Sequence, residues 1–335
     1  MSRLLLFNPQ NDLALAANIA RFTPPANAAR LVWAGRMLPL WYGDSSDYVI
    51  AEDVSPEWLF ALRRDFAVET EIYKGESEQL TSCCPWGWSL DARARFASVG
   101  VANRLLPSDD ALMRLRNLSH RRLTVEVVKR LSRRVSFTLP PVPVEAFSVD
   151  DCVGAVASFG GRAYVKLPYS STGRGVVNFC GLSSSDIVGR VEGMIRRQDS
   201  VMVEKALDKV LDFAMLFHAG NGRVSLSGYS AFVAENGVAY SGNLVMPDCK
   251  IKNEYIGRYI SPSVLDELES ALPPILSELI GDIYNGYFGV DMMVYRDDSG
   301  DYAVAPCVEV NLRMTMGVAV SYTHLRAHET ELHLV

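Results

Sequence analysis

Two apolar runs late in the chain, YFGVDMMVY (287–295) and YAVAPCVEVN (302–311), contain the residues that most restrict how it can fold. Each is rich in β-forming residues, and the short turn DDSGD (297–301) between them contains a glycine, so the pair reads as an antiparallel hairpin. Glu309 and Asn311 are two apart on one strand and so share a face. A loop centred near Gly300 brings Asp291 opposite Glu309. A carboxylate inside an apolar strand is costly unless it is paired or bound to a metal. An oxygen-rich face of Asp, Glu and Asn suits Mg²⁺, which takes carboxylate, carbonyl and phosphate oxygens. The competing reading makes them solvated residues on an edge sheet.

A second constraint is AYVKLPYSSTGRGV (163–176). Lys166 ends an apolar run, and a hydroxyl-rich, glycine-rich loop follows. In a Walker A loop the lysine comes after the glycines and a helix follows. Here the lysine comes first and VVNFC continues as a strand, which excludes a P-loop. The segment reads either as a plain hairpin with an exposed lysine or as a loop whose backbone N–H groups at Ser171, Thr172, Gly173 and Gly175 fold over phosphate oxygens. A third segment, VMVEKALDKVLDF (201–213), ends a strand at Glu204 and runs into a short connector. Such a connector can offer backbone groups to an adenine.

The first third alternates strand, helix and strand: RLLLFN (3–8), LALAANIA (13–20) with Asn11 or Asp12 as cap, YVIA (48–51), PEWLFALRRDF (56–66) and VETEIY (68–73). This order predicts a parallel α/β unit. Residues 74–89, with Trp86 and Trp88, read as loop, the tryptophans lining a pocket or packing. Residues 108–132 read as two helices with Ser119 capping the second. Prolines in LPPVPVEAF (139–147) precede the next unit, where helices 150–159 and 184–197 flank the lysine strand. Long strands then dominate, with a hairpin turn at Asn236-Gly237. Helix 262–284 is expected to break or kink at Pro273-Pro274. Antiparallel strands with helices make the second half α+β.

Composition excludes several classes. With 335 residues, 49% apolar and 21% charged, the chain is globular and large enough for two or three packed units. A net charge of −6 gives no basic field for nucleic acid. No apolar run approaches the roughly 20 residues of a membrane span, and the apolar start is too short for a signal peptide. The six cysteines contain no CxxC and read as reduced thiols of a cytoplasmic protein; the vicinal Cys83-Cys84 reads as a chance pair in a loop, with a redox or metal site as the alternative. The last fifteen residues, SYTHLRAHETELHLV (321–335), resemble a translated sequencing-adapter read; on that reading the natural chain is truncated near Val320. His324 and His328, four apart as metal ligands on a helix can be, fall inside this tail and are set aside with it.

The order of these pieces is lysine and glycine-rich loop, strand–Glu–connector, long helix, then Asp and Glu-x-Asn on a terminal hairpin. That order resembles the ATP-grasp superfamily of carboxylate–amine and carboxylate–thiol ligases, over about residues 110 to 317. The resemblance implies an ATP-grasp fold behind an N-terminal Rossmann-like domain. The expected boundaries are 1–115 for that domain, 116–200 for the lid-bearing subdomain, 201–320 for the second subdomain and 321–335 for the tail. It further implies that Lys166 touches the α/β-phosphates and that Ser171 to Gly175 form a lid. Glu204, with the backbone of Lys205 and Leu207, would hold adenine, and Asp212 the ribose. Asp291, Glu309 and Asn311 would hold Mg²⁺, two ions in this family, with Mn²⁺ as a substitute, and Arg313 would meet phosphate or substrate.

The chain departs from the family pattern in two places. The usual second phosphate lysine is absent from LSHRR, where Arg122 is the nearest candidate. Gly289 stands where a basic residue usually precedes the metal aspartate. Either Lys250 or Lys252 would reach the γ-phosphate. The implied activity is ATP-dependent conversion of a carboxylate to an acyl phosphate, then attack by an amine or a thiol. The alternatives are a small-molecule kinase on the same fold, or a non-catalytic ATP-binding sensor or scaffold. Small-molecule acid and amine are the expected partners, with no nucleic acid or membrane, and an oligomer is compatible with the reading. Asn8, Asn11 and Asp12, in the loop after the first strand, are substrate candidates by position, with helix capping as their alternative role.

Overall fold

The computed structural model describes residues 2–322 apart from 76–77, 171–174, 183 and 236–238. Ser171, Thr172 and Gly173, the Asn236-Gly237 turn, and His324 and His328 therefore lie outside the described residues. The chain divides into two compact units, Met1–Arg116 with Arg313–Val335, and Asn117–Leu312.

The first unit is built on a four-stranded parallel sheet in the order β3-β2-β1-β4, where β1 is Arg3–Leu6, β2 Tyr48–Val49, β3 Glu71–Ile72 and β4 Ser82–Pro85. RLLL is apolar without alternation because β1 is buried on both faces. Leu4 and Leu6 pack with Phe96 and Val101 on one side, and Leu5 packs with Leu40, Val49 and Leu62 on the other. Helices α1 (Asn11–Ala17), α2 (Ala26–Gly35) and α3 (Pro56–Phe66) lie in the connections, α4 (Leu90–Ser98) follows β4, and α5 (Asp109–Leu118) runs across the unit boundary. Ser55 and Ser89 cap α3 and α4 by accepting from Trp58 N and Ala92 N. Arg3 clamps β1 to the start of β2: its backbone N and guanidinium both donate to Asp47, whose carboxylate is fully buried. Burial alone would raise that carboxyl; the Arg3 hydrogen bonds outweigh it and hold the pKa below the ordinary value.

Three expectations for this unit need correction. The segment 74–89 is not all loop, since Ser82–Pro85 pairs along β1. A strand ending in proline escapes periodicity, and is allowed here because β4 is an edge strand. The stretch 68–73 pairs only over Glu71–Ile72. Helix α1 starts at Asn11, so neither Asn11 nor Asp12 is its cap; Gln10 holds that position without a side-chain bond. Trp86 and Trp88 pack on Phe7 and Phe96, with ring centroids 5.0 Å and 5.4 Å apart.

The second unit holds two sheets. One is antiparallel, in the order β5-β8-β6-β7: Val144–Ala146, Val201–Lys205, Ala163–Lys166 and Val176–Asn178. Helices α6 (Arg122–Leu131), α7 (Val149–Ser158) and α8 (Ser184–Gln198) belong to the same unit. α7 opens on a reciprocal capping box between Ser148 and Asp151. α6 does not start on Ser119: its cap position is Arg121, with no side-chain cap bond.

The other sheet is antiparallel, in the order β11-β10-β9-β12-β13: Ala239–Leu244, Arg223–Glu235, Asp208–Gly220, Gly286–Arg296 and Tyr302–Asn311. A short helix α9 (Asp248–Lys250) continues as a π-helical turn, Ile251–Ile256. α10 (Pro262–Ile280) runs unbroken through Pro273 and Pro274. Each proline removes one helix bond and crowds the carbonyl four residues back. The helix persists because Leu265, Leu268, Leu272, Ile275 and Leu276 bury a continuous stripe, and that packing outweighs the local cost. No helix among the described residues is long and apolar enough to cross a membrane.

Strand β10 changes register between Leu226 and Gly228. Gly228 adopts φ +150°, and a Cβ there would lie 2.4 Å from Asp248 Oδ2, whose partner Oδ1 accepts from Tyr229 N at 3.2 Å. Gly228→Ala should therefore destabilise the protein by about 1–3 kcal/mol, through backbone strain and displacement of Asp248. Urea unfolding measures the loss; stability equal to wild type would show that the bulge accepts a side chain.

Candidate functional site

Strand register decides which side chains meet. In the smaller sheet of the second unit, Tyr164 lies opposite Glu204 and Lys166 opposite Met202. Ala163, Val165, Val201 and Val203 point to the other face, into a core with Cys152, Val156 and Val191. Lys166 and Glu204 are thus diagonal neighbours on the face away from that core. Lys166 is only 8% exposed, and its Nζ meets Glu204 Oε2 at 2.5 Å. Beyond Lys166 the chain leaves the sheet, and Leu167 N donates to Gly175 O at 2.8 Å, closing the neck of the glycine-rich loop. Gly175 needs its glycine: φ is +74°, and a Cβ would sit 2.8 Å from Leu167 Cδ1. Gln198 holds the rising arm of the loop by accepting from Tyr169 N at 2.8 Å and donating to Tyr169 O at 3.0 Å. After Glu204, Lys205 turns its ammonium to Asp298 at 2.9 Å, and Ala206 and Leu207 link β8 to β9.

In the larger sheet, Asp291 lies directly opposite Glu309, and Gly289 opposite Asn311. On its other side β12 pairs with β9, with Asp291 opposite Ala214 and Met293 opposite Asp212. Because side chains alternate with period two, Asp212, Asp291, Glu309 and Asn311 all project from one face. Phe213, Met215 and Phe217 lie against Met292, Val290 and Phe288 on the opposite, fully buried face. Asn311 Nδ2 donates to Asp291 Oδ2 at 2.9 Å, and Lys209 reaches Asp212 at 2.6 Å. Charges from the two sheets reach one another. Burial holds the Asp212 carboxyl above its ordinary value; the hydrogen-bonded Lys209 ammonium opposes this, and the Lys166 ammonium adds to the opposition. Cys307 is buried, which pushes its thiol up, and Asp291, Glu204 and Glu309 lie near enough to push it further.

One residue that the sequence reading passed over is central. Arg121 is buried; it donates to Leu167 O at 3.1 Å and to Ser170 O and Oγ at 3.3 and 3.1 Å, and it pairs with Glu309 Oε1 at 2.9 Å. Arg122, the residue expected to stand in for the missing lysine, instead faces Glu145 at 3.0 Å and His120 at 3.1 Å, and its side chain is largely exposed. Helix periodicity separates the two. Arg121 lies on the stripe of buried Thr124, Val128 and Leu131, whereas Arg122 lies on that of Glu126 and Lys129. Of the two γ-phosphate candidates, Lys252 is held by Asp266 at 2.5 Å and Glu269 at 2.7 Å, while Lys250 is exposed and without an ion pair among the described residues.

Asp291, Glu309 and Asn311 present only oxygen acceptors apart from the Asn311 amide, a donor set that fits Mg²⁺. Two carboxylates directly opposite on neighbouring strands repel and need a counter-charge, which Arg121 supplies. Among the described residues no group of three or more His, Cys, Asp or Glu is placed to hold a metal.

The remaining candidates lie in the first unit. Arg313 Nε and Nη2 fork onto Asp12, with distances of 2.9 Å to Oδ2. Asn8 bonds Gly87 reciprocally, donating to its O at 2.8 Å and accepting from its N at 3.2 Å. Gln10, also overlooked in the sequence, is buried with neither amide atom hydrogen-bonded among the described residues, and Asn11 Oδ1 is likewise unpartnered.

The raised Asp212 pKa carries a sign. As pH rises past about 4, the unfolded carboxyl ionises before the folded one, so this group withdraws stability up to its folded value. Asp212→Asn removes that effect. Its Tm relative to wild type should be higher at pH 7 than at pH 4; an equal difference at both would mean that Lys209 fully offsets the burial.

No protein-family model and no curated protein sequence matches the chain. Solved structures do. D-alanyl-alanine synthetase A from Vibrio cholerae is similar over 97% of this chain and 98% of its own, at 12% identity and a TM-score of 0.52. N5-carboxyaminoimidazole synthetase from Staphylococcus aureus, complexed with ADP, covers 94% and 71% at 13% identity and a TM-score of 0.49. The N5-carboxyaminoimidazole synthase from Aspergillus clavatus covers 97% and 76% at 15% identity and a TM-score of 0.48. The likeness to the first of these, over nearly the whole of both chains, gives this chain the ATP-grasp fold, a mixed α/β and α+β architecture.

Proposed function

We propose that this protein is an ATP- and Mg²⁺-dependent ligase that activates a carboxylate as an acyl phosphate for attack by an amine or a thiol. The observation that carries the reading is the shared face of Asp212, Asp291, Glu309 and Asn311, with Lys166 and Glu204 within electrostatic reach. An acid for ribose, a cation-binding hairpin and a buried lysine at the neck of a glycine-rich loop together suit a nucleoside triphosphate.

On this reading Glu204 and the backbone of Lys205 and Leu207 hold the adenine, and Asp212 the ribose. Lys166 exchanges Glu204 for phosphate oxygens, and the amides of residues 171–175 fold over the polyphosphate. Arg121 lies close enough to the hairpin to take the part first given to Arg122. Lys250, at the end of α9, reaches the γ-phosphate. Asp291, Glu309 and Asn311 would hold Mg²⁺, which would supply positive charge to the transferring phosphoryl group. The protein's share is positioning and exclusion of water. A substrate carboxylate oxygen attacks the γ-phosphorus and ADP leaves. The nucleophile then attacks the acyl carbon, phosphate leaves, and the nucleophile gives up a proton. Asp12, Asn8 and Asn11, in a domain of residues 1–115 that precedes the two nucleotide-binding subdomains, bind substrate, and Arg313, paired with Asp12, meets phosphate or substrate. The acting form is cytoplasmic, with small-molecule acid and amine as partners.

Incubation with ATP, Mg²⁺ and panels of acids and amines should release ADP and phosphate together with a condensed product. ADP with a phosphorylated product and no free phosphate would make the protein a kinase, and no ADP with any panel would make it a binder. Glu309→Gln should lower turnover by roughly a hundredfold or more, and Lys166→Met by a similar factor. Turnover unchanged in Glu309→Gln would overturn the cation assignment.

A further inference from the structure

We infer that Arg121 is a built-in competitor for the divalent cation: its guanidinium and the metal ion contend for the carboxylate of Glu309. The inference rests on the assignment of Asp291, Glu309 and Asn311 as cation ligands and goes beyond it.

The geometry supports competition over cooperation. Glu309 faces Asp291 across the hairpin, and the amide of Asn311 already donates to Asp291. The other carboxylate of the pair is that of Glu309, and the Arg121 guanidinium sits on it at 2.9 Å. A dication placed between Asp291 and Glu309 would face that guanidinium across a single carboxylate, and like charges at such separation repel strongly in a poorly solvated site. The Arg121 side chain is 6% exposed, and Glu309 is its one ion pair among the described residues. Its other bonds go to neutral acceptors, Leu167 O and the O and Oγ of Ser170. These give it somewhere to stay when Glu309 is taken, but no second negative charge. A buried guanidinium deprived of its carboxylate is costly until another anion arrives. The exchange is charge-balanced only when an anion such as a nucleotide polyphosphate reaches Arg121 as the cation reaches Glu309. The pair thus disfavours binding of the cation alone.

Binding of Mn²⁺ alone, followed by electron paramagnetic resonance, tests this on the wild-type protein and on Arg121→Gln, Arg121→Lys and Glu309→Gln. Arg121→Gln should bind Mn²⁺ roughly tenfold or more tightly than wild type, the scale on which one adjacent charge changes a carboxylate's affinity for a cation. Glu309→Gln should bind more weakly by a similar factor. A protein carrying both Arg121→Gln and Glu309→Gln should behave like Glu309→Gln, because without the carboxylate there is nothing to contend for. Weaker binding in Glu309→Gln with equal or weaker binding in Arg121→Gln would overturn the competition while leaving the ligands assigned; Arg121 would then be a support that orients Glu309. Equal binding in Glu309→Gln and wild type, or none in any of the proteins, would overturn the ligand assignment and the inference with it. Should Arg121→Gln not fold, Arg121→Lys decides. A point charge on a shorter reach masks the carboxylate less well, so Mn²⁺ should bind a few-fold more tightly, and affinity equal to or below wild type would overturn the proposal.

Discussion

The structure of the second unit turns on a repulsion. Pairing of β12 with β13 sets Asp291 against Glu309, two negative charges on adjacent strands inside apolar runs. A one-residue slip would bury them in the aromatic face that holds Phe213, Phe217 and Phe288, so the register cannot drift. The conflict is met by bringing in a cation from α6, and Arg121 in turn bonds the backbone at the neck of the glycine-rich loop. One guanidinium therefore ties together helix, loop and hairpin. Lys166 and Glu204 repeat the device on the smaller sheet, where the carboxylate supplies the charge that lets the ammonium be buried.

Much of this could be read from the residues. The Asp and Glu-x-Asn pattern needed only the period of a strand and a short turn to predict a shared face, and that face is present. The position of Lys166 before its glycines excluded a P-loop, and strands on both sides of the loop bear this out. Asp212 joins the same face through the pairing of β9 with β12, a long-range register that no local pattern reveals.

What was not legible has specific physical causes. Arg121 was overshadowed by its neighbour, although the buried stripe of α6 points to it; a charge on an apolar stripe is easily taken for an irregularity. Strand β4 was hidden because SCCP lacks alternation and ends in proline. The unbroken α10 shows packing overriding local propensity, which composition cannot weigh. Gln10 gave no signal, since its unpaired burial depends on the fold of the whole loop.

The edges of the first unit's sheet have a consequence for association. An exposed strand edge is a template on which another chain can add. Here one edge is β3, two residues long, and the other is β4, whose last residue, Pro85, has no N–H to offer. Neither presents a run of backbone groups long enough to nucleate an added strand. The same proline that concealed β4 from a reading of the sequence keeps the sheet from growing, so that copies of this unit would meet through side chains rather than through continued β-pairing.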